Sequence, residues 1–320
     1  MDQLLASVIV PTFNRAHLLR RNLRALLRQV VEPTRYEIIV VDNNSTDATG
    51  AVVRRMAEDH SSIRYILEPE QGVAHARNAG LRAARGPIVA YIDDDTFAPP
   101  GWLKVMIDSF ERVQPAPHVV GGPMFPLLLD RRHAWYTDSY DTFSWGDAPR
   151  CLDRRECFFG ANVAFKREVL VGAGGFRTGL GMKGEDLAYC EDTEVFERLW
   201  EYADGRLHSY YAPDAFVMHS IPESRLRPGY RLRRGFAIGQ SEYWRDNLSG
   251  KDRSARRLLA LYRFFRTFAG TVIFPDRFPN YGNWVINCGV AMAPMLGYLA
   301  AASGVRVSIR RPPEAGVVGR

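Results

Sequence analysis

Ile88-Val89-Ala90-Tyr91-Ile92-Asp93-Asp94-Asp95-Thr96-Phe97 (IVAYIDDDTF) sets an apolar run against three consecutive carboxylates. The run predicts a buried strand. Three like charges at its end repel one another unless something positive faces them. A metal ion, a cluster of arginines or plain water would each relieve that repulsion. On an extended segment residues i and i+2 point the same way, so Asp93 and Asp95 are expected to converge and Asp94 to turn aside.

Working outward, short β-branched runs alternate with helical patterns. Ser7-Val8-Ile9-Val10 predicts a strand, and Leu18, Leu19, Leu23, Leu26 and Leu27 then recur at helical spacing. Tyr36 to Val41 is the next strand, ending at Asp42. Ser45, Thr46 or Asp47 is expected to cap a helix carrying Val52, Val53 and Met56. A strand over 62–66 and a helix through Val73, Ala76, Gly80, Leu81 and Ala84, closed by Gly86, lead into the acidic run. This order argues an α/β fold with a mixed, mostly parallel sheet flanked by helices. In such sheets ligands bind beyond the carboxyl ends of the strands. Three polar clusters fall there: Pro11-Thr12-Phe13-Asn14-Arg15, Asp42-Asn43-Asn44-Ser45 and the three aspartates.

After about residue 123 the alternation stops. Residues 124–158 are rich in aromatics, among them Trp135, Tyr140, Phe143 and Trp145, which could shape a binding site or simply fill a core. From about 222 the chain turns arginine-rich, then helical and apolar. The expected organisation is one domain in two halves, 1–123 and 124–221, followed by a basic, helical, apolar C-terminal extension over 222–320. No internal repeat or low-complexity segment is visible.

The 320 residues are 46% hydrophobic and 24% charged, an ordinary globular balance. The net charge of +6 suits an anionic partner (nucleic acid, anionic lipid or a phosphorylated small molecule), or merely solubility. None of the four cysteines forms a C-x-x-C pair, which excludes a zinc ribbon and a dithiol redox motif and fits reduced, cytoplasmic thiols. The opening residues do not read as a secretory signal, because Pro11 cuts the first apolar run. Phe278 to Val305 carries no formal charge and is flanked by Arg277 and Arg306. It is long enough to span a bilayer, yet Asn283, Asn287 and Pro294 favour a buried or membrane-surface helix pair. Basic flanks place either arrangement at a cytoplasmic membrane face.

Two carboxylates at D-x-D spacing suit one hard divalent cation, Mg2+ or Mn2+, that also binds phosphates. A solvated acidic turn uses the same letters. A phosphatase-type D-x-D-x-[TV] pattern fails at Phe97, and an EF-hand loop would need a glycine and a distal glutamate that are missing. Further on, Glu191-Asp192 precede Val195, Phe196, Leu199 and Trp200 at helical spacing. A carboxylate there either caps the helix or serves as a general base. Asp192 is favoured and Asp186, in Gly184-Glu185-Asp186, is held in reserve. His219 ends a strand-like run and is either structural or a third ligand beside Asp93 and Asp95. Arg225, Arg227, Arg231, Arg233 and Arg234 could clamp a diphosphate, face anionic lipid or line a solvated helix.

SVIVPTFNR, IIVVDNNSTDAT, GVAHARNAGLRAARGPIVAYIDDDT, CFFGANVAFKREVLVGAGGF and CEDTEVFERL, in that order over about residues 6–220, resemble the family 2 glycosyltransferases. The resemblance implies a GT-A (nucleotide-diphospho-sugar transferase) fold and inverting transfer of a sugar from a nucleotide-sugar, a UDP-sugar above all, to a hydroxyl of a glycan or lipid-linked acceptor. It implies that Thr12 and Arg15 flank the nucleotide on a loop shaped by Pro11 and Asn14. Asp42, next to Asn43, would bond the base, Arg77 would lie near base or diphosphate, and Asp94 near ribose or sugar. Asp93, Asp95 and His219 would hold Mg2+ or Mn2+. Asp192 would be the base, positioned by Glu191, and Gly160, Ala161 and Asn162 would line the donor-sugar pocket. It implies no nucleic-acid partner, and leaves self-association and contact with a membrane surface open. Two rival readings use the same residues. A nucleotidyltransferase would carry a Gly-rich loop where PTFNR stands, and a nucleotide-sugar or polysaccharide binding protein without turnover would not need the DDD, ED and His together.

Overall fold

The computed structural model describes residues 3–129, 133, 135–248 and 253–310, the side chains of 253–256 excepted. Its strands are β1 (Ala6–Thr12), β2 (Tyr36–Asp42), β3 (Ile63–Leu67), β4 (Ile88–Tyr91), β5 (Thr96–Phe97), β6 (Val119–Gly121), β7 (Met124–Leu128), β8 (Arg150–Cys151), β9 (Val163–Lys166), β10 (Ser209–Tyr211) and β11 (Val217–Ile221). Its helices are α1 (Ala16–Leu26), α2 (Thr49–Asp59), α3 (Val73–Ala83), α4 (Trp102–Arg112), α5 (Arg167–Gly172), α6 (Glu191–Tyr202), α7 (Pro228–Leu248), α8 (Arg253–Ile273) and α9 (Tyr281–Ala302).

Eight strands form one sheet in the order β3-β2-β1-β4-β9-β6-β10-β8, and β5-β11-β7 form a small second sheet. The first four strands of the large sheet are parallel, and antiparallel pairs flank β9. The mixed, mostly parallel sheet expected from the alternation is present. Strand alternation sorts the core: Val8, Val10, Ile38, Val40 and Ala90 pack with Leu19 and Leu23 of α1 and Met106 of α4. Their neighbours Ile9, Ile39, Val41, Val89 and Tyr91 face Ala76 and Leu81 of α3 and Phe196 of α6. Each buried Leu or Ile of this kind contributes about 1.5–3 kcal/mol. A Cβ on Gly80 would lie 2.4 Å from Ile9, so the missing side chain is what lets α3 settle onto β1.

Contacts divide the chain into two units. The first gathers 1–127, 141–178 and 191–220, so the end of the strand–helix alternation near 123 does not end a unit. The second joins 128–140 and 179–190 to 221–320. The aromatic segment is shared out accordingly. Trp145 donates to the Cys157 carbonyl at 3.1 Å and packs on Phe143 in the first unit, while Trp135, Tyr136 and Tyr140 cluster with Ile221 and Leu226 in the second.

In the second unit α7 and α9 touch backbone to backbone. A Cβ on Gly239 would lie 1.9 Å from the Pro294 carbonyl oxygen, and one on Gly297 would lie 2.0 Å from that of Phe236. Tyr298 of α9 fills the space beside Ala260 and Phe264 of α8. The polar residues that make 278–305 a poor span have protein partners. Asn283 donates to the Trp135 carbonyl, and Asn287 donates to the Tyr140 hydroxyl at 2.5 Å. Helix α9 is long and apolar enough to cross a membrane by composition (mean hydropathy 1.6), and 22% of that stretch is buried within the chain.

Candidate active site

Strand β4 ends at Tyr91, and Asp93 to Thr96 make a turn in which the Thr96 amide donates to the Asp93 carbonyl at 3.1 Å. The turn replaces the extended geometry on which Asp93 and Asp95 were expected to converge. Its central pair, Asp94 and Asp95, instead shares one cation. Nη1 of Arg15 lies 2.7 Å from Asp94 Oδ1 and 2.9 Å from Asp95 Oδ2. The Thr12 hydroxyl donates to the other Asp94 oxygen at 2.7 Å. Asp94 is therefore held as firmly as its neighbours. Asp93, the most exposed of the three, faces Nη2 of Arg77 at 3.6 Å. Arginines sit where the sequence left metal, arginine and water open.

Arg77 is the hub. It projects from α3, is 3% exposed, and through Nη1 donates to Glu191 at 3.0 Å and to Asp192 at 2.9 Å. Its guanidinium carbon stands 5.3 Å from the centre of the Phe176 ring. A Cβ on Gly160 would lie 2.1 Å from its Nη2, so the segment before β9 closes over the guanidinium only because residue 160 has no side chain. Glu191 and Asp192 open α6, where the helix dipole favours negative charge. Burial alone would weaken the Arg77 charge, but Asp192, Glu191 and Asp93 together hold it more firmly protonated than a free arginine.

His219 reaches the turn through strand register. In the small sheet β11 runs antiparallel to β5 with His219 opposite Thr96, and the Ser220 amide donates to the Asp95 carbonyl at 2.8 Å. This leaves His219 Nε2 3.4 Å from Asp95 Oδ1. Burial lowers the affinity of His219 for a proton, yet the charge and hydrogen bond of Asp95, with the charges of Asp93 and Asp141, together outweigh it and the net shift is upward. Burial raises Asp95, but Arg15 and His219 hold it well below the usual carboxylate range. Asp94 is pushed up to about 7, chiefly by burial and against the pull of Arg15. Glu191 is also pushed up to about 7, by burial and then by the neighbouring Asp192 charge.

Five carboxylates thus face two guanidinium groups and one imidazole. Fully ionised, the set carries an excess of two negative charges, which a divalent cation would balance. Carboxylate oxygens with one imidazole nitrogen are donors that Mg2+ or Mn2+ accept, so the residues fit such an ion. Among the described residues no three of these side chains converge into a ready-made metal centre, because the arginines hold Asp93 and Asp94 apart.

The remaining expected residues shape the ends of β1 and β2. Pro11 and Thr12 close β1, in register with Val41 and Asp42. Asn14, in left-handed backbone (φ 53°), accepts from the Thr46 amide at 2.7 Å and so ties the two loops together. Asp42 accepts from the Ser45 amide and the Tyr65 hydroxyl, both at 2.9 Å. Asn43 donates to the Glu70 carbonyl at 2.6 Å and accepts from the Gly72 amide. The residue that caps α2 is Ala48, without a side-chain bond. Asp47 instead takes the Thr49 amide at 2.9 Å and the Ala16 amide at 3.2 Å, joining the starts of α2 and α1. Ala161 is buried, and Asn162 is turned inward rather than toward a sugar: its amide donates to the Pro123 and Ala215 carbonyls and accepts from Trp102. Asp186 belongs to the second unit, where it accepts from Ser308 at 2.7 Å.

Sequence reasoning missed Asn22 and Phe176. Asn22, fully buried on α1, donates to the Asp93 carbonyl at 3.1 Å and to that of Thr96 at 2.6 Å, and so pins the acidic turn. Its signal was an amide in the middle of a leucine stripe. Phe176, beneath Arg77, left no signal beyond an ordinary apolar residue after two glycines.

Residues 7–164 match Glycosyl transferase family 2, and residues 88–303 match Glycosyl transferase family group 2. The chain belongs to glycosyltransferase family 2. It is 27% identical over 254 residues to the glucosyl-dolichyl phosphate glucuronosyltransferase of Haloferax volcanii, covering 76% of this chain and 77% of that protein. Over 105 residues it is 39% identical to the GalNAc(5)-diNAcBac-PP-undecaprenol beta-1,3-glucosyltransferase of Campylobacter jejuni, 32% of this chain and 33% of that one. The mannosyltransferase PcManGT of Pyrobaculum calidifontis, solved with GDP-Man and Mn2+, superposes with a TM-score of 0.62 at 22% identity, covering 94% of this chain and 88% of that one. Residues 1–349 of TarS from S. aureus give a TM-score of 0.55 at 16% identity, covering 94% and 92%. This glycosyltransferase therefore has the GT-A fold that the motif order implied.

Proposed function

We propose that this glycosyltransferase transfers a sugar from a nucleotide-sugar, with UDP-sugars first among the donors, to a hydroxyl of a lipid-linked acceptor, inverting the anomeric centre at the cytoplasmic face of a membrane. One observation carries the reading. Arg77 joins the helix-start carboxylate Asp192 at 2.9 Å to the acidic turn through Asp93 at 3.6 Å. A base candidate and the residues suited to a diphosphate are thereby one guanidinium apart.

In this reading Asp192 takes the proton of the acceptor hydroxyl as its oxygen bonds to the anomeric carbon. The bond to the phosphate oxygen breaks, and its electron pair leaves with the nucleoside diphosphate. Arg77 keeps Asp192 oriented, with Glu191 as its second anchor. Arg15, just beyond the end of β1, offers cationic charge on the nucleotide side. Asp95 and His219, with Asp93, would hold Mg2+ or Mn2+, which when bound offsets charge on the departing diphosphate. The relatives' lipid-linked substrates and the uncharged α9 between Arg277 and Arg306 support a membrane-bound acceptor.

The test is product analysis with UDP-, GDP- and dTDP-sugars, Mn2+ and a prenyl-phosphate-linked sugar acceptor. The expected result is a product of inverted configuration by NMR. Asp192→Asn should lower kcat by about 10²–10⁴-fold with the donor still bound. Retained configuration, or full activity in Asp192→Asn, would overturn the assignment.

A further inference from the structure

In the second unit, α7, α9 and the segment 307–310 enclose a trough of about 790 Å3, within the usual range for a bound small molecule. Its lining is apolar: Leu232 and Phe236 from α7, Met292 and Leu296 from α9, and Val307 and Ile309 from the segment beyond. Leu232, Leu296 and Val307 are 40%, 48% and 44% exposed, a large apolar surface to leave in water. Two cations, Arg233 and Arg310, belong to the same lining, and both are exposed. A purely apolar occupant would give them nothing to pair with, whereas a hydrocarbon chain ending in a phosphate matches both parts.

The third wall is fastened in place. Buried Gln240 of α7 both donates to the Val307 carbonyl and accepts from the Val307 amide, each at 3.1 Å. The Leu187 amide donates to the Ile309 carbonyl at 2.8 Å, and Ser308 is tied to Asp186. The floor is narrow because Gly235 and Gly289 bring the two helices together. A Cβ on Gly289 would meet Leu232 at 3.0 Å, and one on Gly235 would meet Ala293 at 3.1 Å.

We infer that this trough binds the isoprenoid chain of a polyprenyl-phosphate-linked acceptor, with Arg233 and Arg310 drawing the phosphate to its rim. The inference rests on the lipid-linked acceptor proposed above and names where the lipid lies. It leaves the neighbouring apolar face of α8, with Leu258, Tyr262 and Phe265 exposed, outside the acceptor site.

Two measurements test it. A farnesyl phosphate carrying a diazirine is photolysed with the full chain, and the labelled peptides are mapped by mass spectrometry. Label in 232–236 or 292–296, displaced by unlabelled farnesyl phosphate and not by phosphatidylglycerol, supports the assignment. Label confined to α8, displacement by either lipid alike, or no label in the trough overturns it. In the second, kcat/KM is compared between acceptors with long and short prenyl chains bearing the same head group. The wild-type preference for the long chain should fall about tenfold in Leu296→Gln and in Val307→Gln. A preference unchanged in both variants refutes the trough. Absence of transfer to any acceptor instead refutes the proposed reaction, and the photolabel then decides the trough alone.

Discussion

Gly160→Ala adds one methyl group, and its expected effect follows from the distances around Arg77. The new Cβ would stand 2.1 Å from Nη2 and 2.3 Å from the guanidinium carbon. Non-bonded contacts of this kind settle near 3.5 Å, so the group must move by more than about 1 Å. A buried guanidinium bonded to two carboxylates at 3.0 and 2.9 Å has little slack, since a further 1 Å takes either contact beyond hydrogen-bonding range. Disrupting a buried ionic network costs about 3–5 kcal/mol when one partner is lost outright, and partial relaxation brings the expected loss to about 3 kcal/mol. In a unit of roughly 200 residues that lowers the melting temperature by about 6–12 °C. Transfer activity should fall with it, because Asp192 loses its orienting partner. The assay is thermal unfolding of Gly160→Ala in the wild-type and Arg77→Met backgrounds. The clash disappears in the second, so the methyl group should cost less than about 1 kcal/mol there. Equal losses in both backgrounds, or none in either, would refute the reasoning.

Three more outcomes follow from the same geometry. Asn22→Leu removes the side-chain donor to the Thr96 carbonyl and one of the two donors to that of Asp93, and should cost about 2 kcal/mol in urea unfolding while raising the KM for the donor. A change in stability with no change in KM would show that the turn does not serve the donor. Burial tends to raise Glu37, but bonds from Ser7, Arg64 and the Arg85 amide outweigh it and hold the carboxyl below 4.5. That stabilisation is present above the unfolded value and is lost as pH falls through the lower folded one, so Glu37→Gln should flatten the decline of melting temperature below about pH 4.5; an unaltered acid limb would refute it. Mn2+ with UDP should raise the melting temperature of the wild type and not of Asp95→Asn, and removal by EDTA should reverse it. A rise of equal size in both would take Asp95 out of the metal site.

Much of the sheet was legible because burial on both faces writes β-branched runs into β1, β2 and β4, and helical spacing of leucines marks α1 between them. Strand ends were legible for the same reason: polar letters stop the runs where a parallel sheet places its ligands. The side-chain partners were not. Alternation put Asp94 aside, but a four-residue turn overrode it, and only Arg15, 79 positions away, shows why Asp94 and Asp95 face one way. Asn162 looked like a sugar contact in GAN and is instead a fully engaged buried amide, a distinction set by Trp102 and Pro123 rather than by its neighbours in sequence. Asp93 and Asp192 stood out by charge, and the resemblance marked Arg77 as near base or diphosphate, yet nothing in the sequence showed that Arg77 joins the two carboxylates. The second unit was least legible, since 128–140 and 179–190 join it across long gaps that no local pattern records.

Arg77 also has a consequence for synthesis. The two carboxylates it hydrogen-bonds lie 114 and 115 residues downstream, whereas Asp93 follows it closely in sequence. While a ribosome is still making that interval, α3 cannot bury the guanidinium beneath residue 160 with more than the looser Asp93 contact to offset its charge. Final closure of the first unit is thus tied to the emergence of α6, and the pairing of Asp95 with His219 waits later still, for β11. A chain that stops early would have most of its parallel strands and neither closed charge cluster. Completeness of translation is in this way a condition for assembling the candidate active site.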